Sequence, residues 1–375
     1  MKNFIYFFTL IFISFSCKNN KKDIDINYDK EIYSPSYSQN FKITGIENSD
    51  NSLITIHNPW QGSQNVSMNL LIKRDSLFHH DSNTQILKGE AERIICMSST
   101  HIAMLEALDA IDRIVGVSGK EYVSNPKIRE NPFIPDIGYE GNIDYETIVS
   151  LNPDLIMLFS VNGASAMESK LKEFGIPFLY IGDYVEETPL GKAEWMVPIA
   201  EIIGKSHQGI EVFQNISKRY NTLKDSVAKH AKNNPTVMVN APFLDSWFMP
   251  STTSYVANLI HDAGGNYIYH KNTGNTSLPI DKEEAMMLID KTDFWINIGT
   301  LKNYKEFETT FPDFISADCV KKRNLYNNNA LTTPGGGNDC YESGAVNPDI
   351  LLRDLIKIFH SELIDEEFTY YHQLK

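Results

Sequence analysis

The chain has 375 residues, of which 34 are Lys or Arg and 48 are Asp or Glu, so its formal net charge is −14. This length predicts roughly two to three domains. Because 42% of the residues are hydrophobic and 22% are charged, as in ordinary globular proteins, a wholly disordered chain is excluded. The acidic balance argues against a nucleic-acid partner, since phosphate binding needs clustered Lys and Arg. The nearest basic cluster, residues 321–323, is interpreted as a solvated turn.

The chain begins with a short apolar segment behind one basic residue. Residues 4–15 are too few to span a membrane, which takes about 20 residues, and their pattern is typical of a secretion signal. Cys17 follows directly and is similar to the lipidated first residue of bacterial lipoproteins, although Ser14 stands where such signals usually carry Leu. We therefore expect a signal peptide over residues 1–16 and acyl chains on Cys17 that anchor the protein to a membrane. The alternative is a signal cleaved elsewhere, with Cys17 incidental.

Two segments precede the region of regular α/β pattern. Residues 17–40 are polar and lack helical periodicity, so they are interpreted as a flexible tether. Residues 41–90 hold short β-type runs separated by turn signals, which predicts a small hairpin-like β addition. The three other cysteines show no C-x-x-C spacing, which makes a ribbon-type zinc site improbable. Cys96 is interpreted as a small buried hydrophobe, and a disulfide between Cys319 and Cys340 stays open.

From residue 91 onward, strand and helix signals alternate. Short apolar runs at residues 93–97, 114–117, 155–159 and 176–181 indicate buried strands, and segments of helical spacing separate them. Such alternation predicts an α/β fold with a small, mostly parallel sheet covered by helices. We assign residues 91–205 to this N-terminal lobe.

A long amphipathic segment interrupts the alternation. Apolar residues recur in steps of three and four between residues 206 and 231, which predicts one helix of roughly 39 Å. Because the α/β pattern resumes afterwards, we interpret residues 206–232 as a helix that connects two lobes, with residues 233–375 as the C-terminal α/β lobe. The alternative is a long core helix of one large domain.

Motifs of common enzymes are absent from the sequence. It contains no G-x-S-x-G, no P-loop lysine motif, no H-E-x-x-H and no G-x-G-x-x-G after a strand. The glycine-rich residues 333–338 could cradle an anion, but a flexible loop near a lobe edge is the preferred interpretation. His101 follows a predicted strand, where ligands meet α/β sheets, so it is a pocket candidate or else a structural histidine.

The order of several segments resembles the substrate-binding proteins of ABC importers for iron–siderophore, haem and cobalamin. The segments that carry the resemblance are residues 93–98, 104–108, 114–117, 136–138, 142–156, 171–177 and 263–266. It covers roughly residues 91 to 360. The family implies two lobes bridged by a long rigid helix, as in class III periplasmic binding proteins, with the ligand in the cleft between them. It also implies a monomer without catalytic residues or cofactor.

The resemblance also implies a partner. In this family an acidic residue on each lobe meets arginines of the permease in the inner membrane, and the matching residues are Glu146 on the first lobe and Glu283 on the second, with Glu284 as the alternative. Charged contacts of this kind steer docking and set register. The expected location is the periplasmic side of a bacterial membrane, held by the lipid anchor.

Large flat ligands are gripped by aromatic faces and a few polar groups. Residues of these types at strand ends or in loops are the ligand-binding candidates: His101, Tyr122, Tyr139, Tyr184, Trp195, Trp247, Asn338, Asp339 and Tyr341. Arg is scarce in these segments apart from Arg129, which disfavours a strongly anionic chelate and leaves haem, neutral or cationic chelates and cobalamin.

The primary hypothesis is therefore a lipid-anchored binding protein that delivers an iron complex, a siderophore or haem, to an ABC importer. A cobalamin-binding protein is the alternative within the same class. A periplasmic hydrolase with an undetected triad is the alternative of another class, and a metal-ion receptor using His57, His101 and a carboxylate is a weaker one.

Overall fold

The computed structural model describes residues 27–243 and 246–375. The predicted signal peptide and the anchor at Cys17 lie outside the described residues. Within the described ranges, none of the helices combines the length and the apolar character needed to cross a membrane.

The N-terminal segment forms a five-stranded sheet rather than a hairpin. Four strands are antiparallel neighbours and the fifth adds in parallel: β1 (Lys30–Tyr33), β2 (Phe41–Gly45), β3 (Ser52–His57), β4 (Ser67–Lys73) and β5 (Gln85–Lys88). Its apolar face shares one hydrophobic core with the first lobe, as Ile54 and Leu70 are completely buried there. The prediction of a tether as far as residue 40 is wrong for its last part, because residues 30–33 form β1 and residues 33 and 36–38 donate hydrogen bonds to a buried carboxylate of the first lobe, Glu194.

The first lobe has the predicted parallel sheet, in the order β7-β6-β8-β9. Its strands are β6 (Ile94–Cys96), β7 (Ile114–Val117), β8 (Leu155–Leu158) and β9 (Phe178–Tyr180). All residues of β6, β8 and β9 are buried, which explains why these strands are continuous apolar runs. The helices are α1 (Ser99–Ala107), α2 (Pro126–Arg129), α3 (Tyr145–Leu151), α4 (Met167–Phe174), α5 (Pro189–Glu194) and α6 (Met196–Ile202).

The predicted long helix is confirmed as α7 (Ser206–His230), which has 25 residues and a length of about 37 Å. It buries one stripe of its surface, made up of Gly209, Phe213, Ile216, Tyr220 and Val227.

The second lobe has a sheet in the order β12-β10-β14-β15-β16, parallel except for its last strand. The strands after α7 are β10 (Thr236–Val239), β11 (Trp247–Met249), β12 (Asn266–Tyr267), β13 (Leu278–Ile280), β14 (Phe294–Ile296), β15 (Leu325–Asn327) and β16 (His372–Gln373). Strands β11 and β13 form a separate antiparallel pair. The helices are α8 (Tyr255–Asp262), α9 (Lys282–Ile289), α10 (Tyr304–Thr310), α11 (Asp318–Lys321) and α12 (Pro348–Phe359).

The lobes meet along α7, which packs on α6 of the first lobe and on α12 of the second. A second contact joins α1 to the 3₁₀ turn Ser343–Ala345. Beside it, the buried carboxylate of Glu342 accepts hydrogen bonds from the backbone N–H groups of Ser124 and Asn125 at 2.6 and 3.0 Å. The two lobes of the predicted α/β architecture are thus confirmed, and they touch both through the long helix and through the contact between α1 and the turn Ser343–Ala345.

The glycine-rich residues 333–337 lie between the lobes. The Thr333 hydroxyl donates to the backbone oxygen of Glu121 at 3.1 Å. A Cβ atom on Gly335 would lie 2.6 Å from that oxygen, and one on Gly337 would lie 1.8 Å from the backbone oxygen of Tyr122. The glycines therefore permit two backbones to touch across the lobes, and neither an anion cradle nor a loose loop is needed to explain them.

Cys96, Cys319 and Cys340 are all buried free thiols. The disulfide that the sequence left open between Cys319 and Cys340 is therefore not formed. Each thiol is surrounded by the core of the lobe that contains it, and burial raises the pKa of Cys319 to about 11 and that of Cys340 to about 12.

Candidate ligand-binding site

The carboxyl ends of the first lobe's parallel strands surround a cavity of about 630 Å³, here called the strand-end cavity. Loops that follow β6, β7 and β8 line it, which is where ligands meet open α/β sheets. The predicted residues Tyr122 and Tyr139 both lie here, each with about 46% of its surface exposed. Gly119 lies against both rings, because a Cβ on it would be 3.2 Å from Tyr122 and 3.1 Å from Tyr139.

A second cavity, of about 570 Å³, lies between the N-terminal sheet and both lobes and is here called the three-sided cavity. The N-terminal segment contributes Tyr37, Gln39, Asn40, Asn58 and residues 60–63, the first lobe residues 184–188, and the second lobe Ser251 and residues 253–255 and 275–277. The two cavities adjoin where the backbone N–H of Gln61 donates to the backbone oxygen of Val161 at 3.0 Å, since these residues line different cavities. The predicted residue Tyr184 lies in the three-sided cavity with about half of its surface exposed.

The lining of both cavities carries carboxylates and, within the described residues, no Lys or Arg. Glu140 lines the strand-end cavity, and Glu186 and Glu187 line the three-sided one. Glu186 is buried and accepts from the Ser38 hydroxyl at 2.5 Å and from the Trp195 indole N–H at 2.9 Å; burial raises its pKa. Glu187 is exposed and accepts from the Thr253 hydroxyl at 3.1 Å across the lobes. This electrostatic environment favours ligands without net negative charge.

Two predicted tryptophans are buried in cores, and neither lines the strand-end or the three-sided cavity, although Trp247 borders a cavity of about 350 Å³ within the second lobe. Trp195 joins α5 to α6 and is completely buried, with its ring 5.1 Å from that of Phe41. Trp247 is also buried, where its ring lies 5.0 Å from that of Trp295 and its N–H donates to the backbone oxygen of Val239 at 2.9 Å. Their assignment as cleft residues is corrected for this reason: the indoles fill the space between elements and find their polar partners there.

The assignment of His101 as a pocket residue is also corrected. It lies in α1 with none of its surface exposed, and neither ring nitrogen has a hydrogen-bond partner among the described residues. Burial lowers its pKa to about 4, so the ring is neutral at neutral pH. The metal-ion alternative gains no support either, because residues 27–243 and 246–375 contain no group of three or more His, Cys, Asp or Glu suited to a metal ion.

The three candidates from the second lobe are dispersed. The side chain of Asn338 accepts from the backbone N–H of Cys340 at 3.1 Å and caps a turn. Asp339 accepts from the Ser343 hydroxyl at 2.6 Å and lines a further inter-lobe cavity of about 510 Å³. The Tyr341 ring is exposed, whereas its hydroxyl accepts from the Asn328 amide at 3.0 Å. Only Asp339 of these three lines one of the cavities described here.

Several lining residues were missed from the sequence. Trp60, Gln61 and Ser63 lie in a turn of the N-terminal sheet, which is outside the segments that carry the family resemblance. The turn signal itself was visible, but nothing in it indicated proximity to residues more than 100 positions away. Thr253 and Tyr255 lie at the start of α8, where the Ser254 side chain caps the helix by accepting from the Ala257 N–H.

The two acidic residues expected to meet a permease occupy equivalent positions in two helices. Glu146 is the second residue of α3, which Asp144 caps, and Glu283 is the second residue of α9, which Asp281 caps. Both are exposed, and within the described residues neither has a hydrogen bond or ion pair through its side chain. Glu284, by contrast, pairs with Lys271.

Comparisons with known proteins give relatives of the same type. The chain is 26% identical over 302 residues to an uncharacterized lipoprotein of Methanocaldococcus jannaschii, covering 77% of this chain and 70% of the relative. Its fold is similar to that of a periplasmic heme binding protein from Pseudomonas aeruginosa, with a TM-score of 0.60 at 14% identity over 76% of this chain and 98% of that one. It is also similar to the periplasmic vitamin B12 binding protein of Vibrio cholerae, with a TM-score of 0.55 at 14% identity over 73% of this chain and 98% of that one.

These two structural likenesses concern the fold alone, and they agree with the class III arrangement of two lobes on one long helix. The sequence profile described as periplasmic binding protein matches residues 94–320, which is more than half of the chain. The chain therefore belongs to the periplasmic binding protein family, and it is a substrate-binding protein rather than an enzyme.

Proposed function

We propose that this protein captures an iron complex, a siderophore or haem, between its lobes and delivers it to the permease of an ABC importer in the inner membrane. The observation that carries the proposal is a pair of adjoining cavities that expose tyrosines, one at the strand ends of the first lobe and one between the N-terminal sheet and both lobes. Their volumes are in the range of small-molecule sites, about 300–1,000 Å³. The names of the heme- and vitamin B12-binding structural neighbours support this class of ligand.

A cobalamin-type ligand is the second candidate, and the three-sided cavity favours it. Five amide side chains line this cavity: Gln39, Asn40, Asn58, Gln61 and Asn275. Cobalamin carries peripheral amides and no strong net negative charge, so it matches this lining and needs no basic partner.

The ligand class is tested with purified protein that lacks residues 1–17. Quenching of intrinsic tryptophan fluorescence is titrated with haem, cyanocobalamin, a positively charged ferric hydroxamate and a negatively charged ferric catecholate. Saturable binding of one of these probes is the expected result. If none of them binds saturably, the proposal fails.

Delivery to a permease is tested at Glu146 and Glu283. We expect Glu146→Lys and Glu283→Lys to abolish transport in reconstituted vesicles while the soluble protein binds ligand as before, because both carboxylates are exposed and lie away from the two cavities. The matched control is Glu211→Lys, an exposed glutamate on α7. Transport that survives both reversals would contradict the assignment.

Membrane attachment through Cys17 is part of the same proposal and is tested by metabolic labelling with a fatty acid, with Cys17→Ser as control.

A further inference from the structure

The N-terminal sheet is fixed to the first lobe by a buried carboxylate. Glu194 in α5 has none of its surface exposed, and its two oxygens accept hydrogen bonds from the Tyr33 hydroxyl and the backbone N–H groups of Ser36, Tyr37 and Ser38, all at 2.7–2.8 Å. The apolar face of the sheet also packs into the hydrophobic core that the first lobe shares, so the sheet is joined to this lobe by both kinds of contact.

A turn of the same sheet reaches the ends of the first lobe's strands. The Trp60 ring packs edge-on against Tyr180, the last residue of β9, with ring centres 5.3 Å apart. The backbone of Gln61 is held by Val161, and the turn is closed by the Asn58 side chain, which accepts from the Val66 N–H at 3.1 Å. The side of this turn that is not packed on the lobe lines the three-sided cavity.

We propose that the N-terminal sheet is the third wall of the ligand site, and that Trp60 and Gln61 contact the ligand opposite Tyr184 and Thr253. This inference rests on the proposed function and adds to it a specificity element outside the segment that matches the family profile. The aromatic faces of Trp60 and Tyr184 suit the flat or apolar part of a ligand, and the amides and hydroxyls suit its polar groups.

The lining of the three-sided cavity as a whole sets the charge of the ligand. All three sides contribute amides, hydroxyls or carboxylates, and Glu187 adds an exposed negative charge without a basic side chain in the described lining. A negatively charged chelate would lose its hydration with no cation to replace it. The ligand class is therefore a neutral or positively charged chelate or corrinoid that is rich in hydrogen-bonding groups.

The experiment measures dissociation constants by titration calorimetry for cyanocobalamin, the positively charged ferric hydroxamate and the negatively charged ferric catecholate. Gln61→Ala and Trp60→Leu are compared with Tyr184→Ala and with Lys42→Ala, an exposed residue of β2 outside the cavity. We expect the neutral or positive probe to bind best, each wall variant to weaken it about tenfold or more, as loss of a central contact does, and Lys42→Ala to bind as the unmodified protein.

The outcomes separate this inference from the proposed function. Binding of no probe by the unmodified protein contradicts the proposed function itself. If a probe binds, Tyr184→Ala weakens it and both N-terminal variants do not, the third wall is refuted while the proposed function stands. Tightest binding of the catecholate refutes the assignment of charge. If Trp60→Leu unfolds because of its packing on Tyr180, Gln61→Ala decides the question alone.

Discussion

Replacing Glu194 by Gln tests whether one carboxylate fastens the N-terminal sheet. Gln keeps the shape of the side chain, but one carboxylate oxygen becomes an NH₂ group that faces donors. If Oε2 is replaced, the Tyr37 and Ser38 N–H groups lose their acceptor; if Oε1 is replaced, the Ser36 N–H loses its acceptor, whereas the Tyr33 hydroxyl can turn and accept from the new NH₂ group. The second orientation leaves one donor without a partner, and each such buried donor costs about 1–3 kcal/mol, so we expect a loss of about 2 kcal/mol.

The free energy of unfolding is measured by urea denaturation, and amide hydrogen exchange over residues 33–38 locates the loss. Glu211→Gln is the matched control, because the same chemical change at an exposed site of α7 should alter stability by less than about 0.5 kcal/mol. Exchange over residues 33–38 should accelerate in Glu194→Gln alone. A variant as stable as the unmodified protein, or one that loses stability with unchanged exchange in this segment, would refute the reasoning.

Three further predictions concern buried groups and the contact between the lobes. Burial raises the pKa of Glu342 from 4.5 to about 7. The contribution of Glu342 to stability is therefore present below pH 4.5 and is lost as the pH rises to about 7. Glu342→Gln should remove this decline of about 3 kcal/mol, which is measured by denaturation curves between pH 4.5 and 8. Burial lowers the pKa of His101 from 6.5 to about 4, so the protein loses stability as the pH falls from 6.5 to about 4. His101→Leu should remove this loss of about 3 kcal/mol. A variant whose stability depends on pH as that of the unmodified protein does would contradict the assignment. Gly337→Ala should cost about 1–3 kcal/mol in thermal unfolding, because its Cβ would lie 1.8 Å from the Tyr122 backbone oxygen; Gly274→Ala, whose Cβ would have no neighbour closer than 3.5 Å, is the control and should leave the melting temperature unchanged.

The opposite signs of the two titrations make the profile of the unmodified protein informative. In the pH range from about 4.5 to 6.5, the contribution of Glu342 to the stability of the protein falls with rising pH, whereas the contribution of His101 rises. The unmodified protein should therefore have a flatter profile than either single variant. The groups that shift the two pKa values are different residues, so the effects should add in the double variant.

The parts of the fold that sequence periodicity specifies were predicted correctly. Apolar residues recur every three or four positions along α7. A structure other than a helix over this segment would have exposed apolar side chains such as Phe213 and Ile216 to solvent. The buried parallel strands were visible for a similar reason, since β6 and β8 are apolar at every position. Such signals are local, so one sequence is enough to read them.

The candidate site was predicted less completely because its parts come from distant segments. Tyr122, Tyr139 and Tyr184 were selected for their place at strand ends or in loops, and they line the two cavities because the topology places strand ends together. Trp195 has the same residue type and a similar place in the pattern, but tertiary packing buries it beside Phe41 from the N-terminal sheet. The polar segment 30–40 was predicted to be a tether because its partner Glu194 lies more than 150 positions later and the local sequence does not indicate that contact.

The single passage of the chain through α7 has a consequence for biosynthesis. All strands of the N-terminal sheet and the first lobe, from Lys30 to Tyr180, precede the helix, and all strands of the second lobe, from Thr236 onward, follow it. No strand of either lobe has to wait for a segment on the far side of the helix. In a chain exported N-terminus first, the leading half can therefore assemble its sheets before the trailing half has crossed the membrane, so that the order of emergence coincides with the order of assembly.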